Sequence, residues 1–188
     1  MKKRNLFHFI TAGSLFALFI FYTILLQSVD VKPIGPNGSL VGFAAVNERL
    51  HSLFGVHMRL YIVTDWLGLV AIFVALGFAV LGLVQLISRK SFLRVDSSIL
   101  VLGGFYLLVI AAYSFFELYV VNYRPILIEN VLEASYPSST TMLVMCIIPT
   151  AMMQLHQRIK SKNIRVVTNS LFGLFTIGMV AGRTVSGV

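Results

Sequence analysis

Charged residues are scarce in this 188-residue sequence: Asp, Glu, Lys and Arg make up 12% of it, where soluble domains carry about 25%. Hydrophobic residues account for 57%, and the mean hydropathy is +0.88. This composition excludes an ordinary soluble domain. Apolar runs of the ~20 residues needed to cross a bilayer recur along the chain, and the alternating pattern of a membrane β-barrel is absent.

Cysteine is nearly absent as well, and with it several classes of chemistry. The single Cys146 lies in an apolar run, so it forms no internal disulfide and no metal site by itself. The sequence also lacks a glycine-rich phosphate loop, paired Cys/His metal spacing and a Gly-x-Ser-x-Gly elbow. We therefore expect no metal and no cofactor.

Five apolar runs are present, and they predict an all-α, polytopic membrane helix bundle, because helices satisfy every backbone polar group within lipid. Pro149 predicts a kink in the fourth run. No soluble domain remains outside these runs, so we expect one membrane-embedded domain over residues 1–188. The predicted spans cover residues 6–29, 61–87, 99–121, 140–155 and 166–188.

The basic residues are concentrated on one side of these spans. Three precede the first span, three follow the second and four lie between the fourth and fifth, so ten of the 15 share that side. The positive-inside rule makes it cytoplasmic, which accounts for the net charge of +8 without a nucleic-acid partner. The first run is too long for a cleaved signal peptide. We expect a multi-pass plasma-membrane protein with a cytoplasmic amino terminus. The ten residues are Lys2, Lys3, Arg4, Arg89, Lys90, Arg94, Arg158, Lys160, Lys162 and Arg165.

The first outer loop contains an amphipathic pattern. Apolar residues recur at helical spacing among polar ones, which predicts a helix lying along the outer interface. This helix is either a lid that packs over the bundle or a guide for lipid head groups. The apolar residues are Phe43, Val46, Leu50, Leu53 and Phe54.

The second outer loop, residues 123–141, is the most polar stretch of the chain. Arg124 begins it, and hydroxyl residues at 138–141 end it at the start of a predicted helix. Span five travels outward, so Arg183 reaches the same side of the membrane. The guanidinium group of arginine and the N-terminus of a helix both favour binding of a phosphate group. The pattern predicts an outward-facing phosphate site.

Three short motifs in this region resemble a known family. Arg124-Pro125, Pro137-Ser138-Ser139 and Gly182-Arg183 resemble the motifs of the type 2 phosphatidic acid phosphatase superfamily, which are integral lipid phosphatases with a six-helix bundle. The motifs follow span three, open span four and close span five, as in the family. The resemblance implies that this chain carries five of the six transmembrane helices.

The resemblance also implies a phosphohistidine mechanism, with one His as nucleophile and another as general acid. In this chain Thr140 stands at the general-acid position, and a hydroxyl does not titrate near neutral pH as imidazole does. Glu117 replaces the first-motif Lys, and Gly182 replaces a Ser. By resemblance, phosphate contacts come from Arg124, Ser138, Ser139 and Arg183.

By motif spacing, the nucleophilic His falls one residue beyond Val188, so we expect a chain that is truncated or catalytically impaired as given. His51 and His57 lie in the first outer loop, where either is a conceivable substitute acid.

Three functions stay open. The first is a phosphatase acting on a phospholipid or isoprenoid phosphate. The second is a non-catalytic relative that binds a phosphorylated head group or serves as a partner subunit, which Glu117 and Thr140 favour. The third is a small helical membrane protein, such as a transporter subunit, with an accidental motif match.

Overall fold

A computed structural model describes residues 2–187, and most of them are helical. Two short 3-10 turns and three isolated β-bridges lie between the helices, and residues 2–187 contain no strand. The predicted all-α class is confirmed. Met1 and Val188, the final position of the predicted fifth span, lie outside the described residues. The helices are α1 Lys2–Ser28, α2 Ala44–Phe54, α3 Met58–Arg89, α4 Ser97–Leu118, α5 Ser139–Arg158 and α6 Lys162–Val185.

Four of the six helices are long and apolar enough to cross a membrane. They are α1 from Asn5 onward, α3, α4 and α6, and they coincide with predicted spans one, two, three and five. Helix α5 coincides with the predicted fourth span but carries more polar residues, among them Gln154, His156 and Arg158. These four helices agree with the prediction of a membrane protein. The predicted count of five spans stays a prediction.

The residues group into two compact units. The first comprises Met1–Leu53 and Val120–Tyr136, and the second Phe54–Tyr119 and Pro137–Val188. The single domain over residues 1–188 stays a prediction. The first unit holds α1 and both polar loops, and the second holds α3 to α6.

In the first unit, Asn122 ties the two loops together. Its Oδ1 accepts from the backbone N–H of Gly42 at 2.7 Å, and its Nδ2 donates to Oγ of Ser135 at 2.7 Å. Gly42 is required here, since a Cβ at this position would lie 1.9 Å from the carbonyl oxygen of Leu26. Asn122 is buried, so its amide organises the unit from inside.

The second loop folds back on itself as a short hairpin. The backbone N–H of Arg124 donates to the carbonyl of Glu133 at 3.0 Å, and positive φ angles at Glu129 and Asn130 turn the chain. At the end of the loop, Tyr136 stacks against Phe19 of α1. The polar loop is therefore ordered by its own backbone and by α1.

Helix α2 lies in the segment predicted to form the interfacial helix, and it begins at Ala44 because the backbone of Phe43 has a positive φ of 49°. Its position along the membrane interface stays a prediction. Ala44 is buried, whereas Val46, Leu50 and Leu53 are exposed. Among the described residues, Val46, Leu50 and Leu53 thus stay exposed on the apolar side of this helix.

In the second unit, α5 is the central helix and packs against α3, α4 and α6. Val144, Ile148 and Ala151 on α5 are completely buried. Helix α5 runs through Pro149 without a break, the predicted kink stays a prediction, and the hydroxyl of Thr150 donates to the carbonyl of Cys146 at 2.8 Å. The core comprises Ala71, Leu102, Tyr106, Val144, Ile147, Ile148 and Met179.

A polar network lies between the end of α3 and the start of α4. Asp96 exchanges two hydrogen bonds of 2.9 Å with the side-chain amide of Gln85, and its carboxylate is 2.9 Å from Nη1 of Arg89 and 3.8 Å from Nη2 of Arg158. Hydrogen bonds from Arg89 and then from Gln85 hold the pKa of Asp96 below its ordinary value. The network thus joins α3, α4 and α5 around one carboxylate.

Candidate functional site

Arg183 is the centre of a second polar cluster in this unit. It lies two residues before the end of α6, and its side chain is only 8% exposed. Its Nη2 donates to Oδ1 of Asp65 at 3.0 Å and to Oγ1 of Thr140 at 2.7 Å. A buried guanidinium requires such partners, since an unpaired buried charge costs several kcal/mol.

Tyr61 holds the guanidinium from another direction. Its backbone carbonyl accepts from Nη1 of Arg183 at 3.3 Å, and the centroid of its ring lies 4.2 Å from Cζ, within the ~6 Å range of a cation–π contact. A guanidinium has five N–H donors. Its hydrogen bonds to Tyr61, Asp65 and Thr140 use three of them.

Thr140 brings α5 into the cluster from its first turn. The side chain is buried, and its hydroxyl donates to Oδ1 of Asp65 at 3.0 Å while accepting from Arg183. One carboxylate oxygen therefore accepts from both the threonine and the arginine. The three side chains form a closed triangle that links α3, α5 and α6.

Helix α5 starts at the hydroxyl residues where the sequence predicts a helix, and its first turn is capped. Ser138 is the N-cap, and its Oγ accepts from the backbone N–H of Thr141 at 3.4 Å. Ser139 is the first residue of the helix. The cluster therefore lies at the positive end of the α5 dipole, which favours an anion.

Two glycines allow the helices to approach closely around the cluster. A Cβ on Gly68 of α3 would lie 2.6 Å from Cγ2 of Thr140, and one on Gly182 of α6 would lie 2.8 Å from Cγ2 of Thr64. Small residues at helix contacts are typical of membrane packing. The same close contacts that join the helices therefore position Thr140 and Arg183.

Asp65 is the site residue that the sequence analysis missed. It is the only acidic residue in α3, and an ionisable side chain within an apolar span marks a functional site by default. That signal was present in the sequence. Its side chain is 56% exposed although its partner Arg183 is nearly covered.

The remaining predicted site residues are Arg124 and Glu117. Arg124 belongs to the first unit, where its buried side chain places Nε 3.4 Å from Oε2 of Glu133. Glu117 is exposed in the last turn of α4. The predicted meeting of Arg124 with Arg183, and the position of Glu117 beneath Arg124, stay predictions.

The two candidate substitute acids have no contact among the described residues that supports that role. His51 and His57 are both exposed, and the backbone N–H of His57 donates to the carbonyl of Ser186 at 2.8 Å. Among residues 2–187, no three His, Cys, Asp or Glu side chains are grouped so as to hold a metal ion.

Comparison with known proteins adds no relative to this description. The chain matches no protein-family model, no curated protein and no solved structure.

Proposed function

We propose that this chain is a membrane lipid-phosphate phosphatase-like protein whose phosphate site is built on Arg183, Thr140 and the start of α5. The observation that carries the proposal is the buried guanidinium of Arg183, held by Tyr61, Thr140 and Asp65 beside the start of α5. The motif resemblance supplies the ligand class. The substrate or ligand is a phospholipid or an isoprenoid phosphate.

Physical chemistry supports a phosphate at this position. Guanidinium groups bind phosphate oxygens through directed, charge-assisted hydrogen bonds, each stronger than a neutral one. The free N–H groups and dipole of α5 add positive potential beside Thr140. Ser138 and Ser139 are proposed to contribute their backbone amides, and Arg124 a second guanidinium.

Turnover is proposed to be impaired because Thr140 stands at the general-acid position. Its hydroxyl is already bonded to Asp65 and Arg183, and loss of general acid–base catalysis costs about 10²–10⁴ in rate. This observation favours a second candidate, a non-catalytic subunit that binds a phosphorylated head group on the same scaffold.

The site is proposed to face the outside of the plasma membrane, with a cytoplasmic amino terminus. Asp65 and Gln85 are twenty positions apart on α3, or about 30 Å along the helix axis. That distance equals the ~30 Å thickness of the hydrocarbon core. The clusters around Asp65 and Asp96 are therefore spaced to lie at opposite interfaces, and the basic loops favour the Asp96 end as cytoplasmic.

Binding of dioctanoyl phosphatidic acid to the purified 188-residue chain in detergent tests the proposal. We expect Arg183→Ala to weaken binding by roughly ten- to a hundredfold, since it removes charge-assisted hydrogen bonds. Arg165→Ala is the matched control, because it removes the same charge from the first turn of α6. Phosphate release should stay near background in all three proteins.

Equal binding by Arg183→Ala and Arg165→Ala would refute the phosphate site. Rapid phosphate release that disappears in Arg183→Ala would instead refute impaired catalysis and turn attention to Thr140 or an outer-loop histidine as the proton donor.

A further inference from the structure

Asp65 occupies the donors that the proposed phosphate requires. Its Oδ1 accepts from Nη2 of Arg183 at 3.0 Å and from the hydroxyl of Thr140 at 3.0 Å. An incoming phosphoryl oxygen must compete with this carboxylate for the same two groups. The protein therefore carries an anion of its own at the position where its ligand is proposed to bind.

The three members of the triangle differ in how firmly they are held. The side chain of Arg183 is 8% exposed and is fixed by the carbonyl and ring of Tyr61. Thr140 is buried in the first turn of α5. The side chain of Asp65 is 56% exposed, so the carboxylate is the member that can move away while the donors stay in place.

Charge decides which ligands displace a carboxylate. A phosphodiester head group carries one negative charge at its phosphate, so replacing Asp65 exchanges one unit of charge for another and gains little from Arg183. A phosphate monoester carries nearly two above its second pKa of about 6, and its attraction to the guanidinium is correspondingly larger. Displacement is therefore favourable for the monoester alone.

We infer that Asp65 is a displaceable internal counter-ion that selects lipid phosphate monoesters over phosphodiester head groups at Arg183. This inference rests on the proposed function and adds a selection step to it. The step matters in a bilayer, where phosphodiester lipids surround the site on all sides. While Asp65 is paired with Arg183, its carboxylate neutralises the arginine and the surrounding phosphodiester lipids gain little by binding there.

The test compares two lipids of equal chain length at pH 8 in a non-ionic detergent. Dioctanoyl phosphatidic acid is the monoester, and dioctanoyl phosphatidylglycerol is the diester. We expect the wild-type chain to bind the monoester at least about tenfold more tightly, the change associated with one charge-assisted hydrogen bond. In Asp65→Asn, diester binding should rise about tenfold, so that the ratio falls toward one.

Asp96→Asn is the matched control. It removes one carboxylate that is also paired with an arginine, at the opposite end of α3, and it should keep the wild-type ratio. If Arg183→Ala and wild type bind both lipids alike, the proposed function fails. If Arg183→Ala loses binding while Asp65→Asn keeps the wild-type ratio, the selection role alone fails.

A second measurement on the wild-type chain needs no substitution of Asp65. A water-soluble carbodiimide with an amine modifies exposed carboxylates, and tungstate serves as an unreactive tetrahedral dianion. Tungstate should increase modification of Asp65, measured by mass spectrometry, because displacement frees its carboxylate, and it should leave Asp96 unchanged. Unchanged or reduced modification of Asp65 under tungstate would overturn the inference even where Asp65→Asn does not fold.

Discussion

Replacement of Gly68 by alanine tests whether helix packing positions the site. A Cβ at this position would lie 2.6 Å from Cγ2 of Thr140, whereas non-bonded carbons prefer about 3.5–4.0 Å. Rotation of the threonine side chain would relieve the contact, but it would also carry the hydroxyl away from Asp65 and Arg183. The substitution must therefore push α3 and α5 apart or break the polar triangle.

The new Cβ would thus lie about 1 Å too close to Cγ2 of Thr140, and the loss of folding free energy follows from this overlap. Overpacking of this kind destabilises by about 1–3 kcal/mol, whereas replacing a glycine by alanine inside a helix stabilises by about 0.5–1 kcal/mol. We expect a net loss of roughly 1–2 kcal/mol. For a chain of this length, that loss lowers the unfolding midpoint by roughly 2–8 °C. Binding of phosphatidic acid should weaken in parallel.

Two further variants make the test specific. Gly77→Ala introduces the same methyl group into the same helix, where no atom lies within 4 Å of the new Cβ, and it should be neutral or slightly stabilising. Thr140→Ser removes Cγ2 and keeps the hydroxyl. In the double variant the nearest atoms of residue 140 would be its Cβ at 3.7 Å and Oγ at 3.9 Å from the new methyl, which is ordinary contact.

Unfolding midpoints in detergent, measured for the three single variants and the double variant, give a double-mutant cycle. We expect Thr140→Ser to rescue Gly68→Ala by about 1 kcal/mol or more, which is within the range seen for contacting residues. If Gly68→Ala is as stable as Gly77→Ala, or if the two site substitutions are additive, the close packing of α3 on α5 does not hold Thr140 in place.

Two other predictions concern the polar network around Asp96 and the polar loop. Because the folded-state pKa of Asp96 is lowered by Arg89 and Gln85, its contribution to stability is present above about pH 4 and fades as the pH falls through the folded value. Asp96→Asn should therefore unfold at a lower temperature than wild type at pH 6, and a gap that persists unchanged at pH 3 would refute this assignment. On a Cys146→Ser background, Glu133→Cys should react with an impermeant thiol reagent added outside intact cells, and labelling only from the cytoplasmic side would reverse the proposed topology.

Much of the fold was predictable because hydropathy determines membrane helices directly. The second predicted span, residues 61–87, lies within α3, Met58–Arg89. Helix α5 begins directly after Ser138 because the hydroxyl of Ser138 caps a free N–H group of the first turn. Hydropathy could not decide whether α5 crosses the membrane, because its last turns contain polar residues. Hydropathy does not distinguish a helix that faces lipid from one buried among other helices.

The site was predictable only in part. Spacing and alternation of spans placed Arg183 and Thr140 at the same end of the bundle, and the two side chains do meet. The partner of Arg183 was missed because a single Asp65 scarcely lowers the mean hydropathy of its span. The pairing of Arg124 with Glu133 was missed because it depends on the left-handed turn at Glu129 and Asn130, which the residue types alone do not demand.

The ion pair between Asp65 and Arg183 also bears on how the protein is made. The two residues are 118 positions apart, and a ribosome adds about 5–20 residues per second, so α3 waits roughly 6–24 s after synthesis of Asp65 before its arginine exists. During that interval the nascent helix carries an acidic group into the membrane with no cation to neutralise it, at a cost of about 2.5–3.5 kcal/mol near the helix centre and less toward its end. Arrival of α6 removes this cost. Insertion of α6 is thus favoured by the acidic residue already present in α3, which couples the order of synthesis to the assembly of the site.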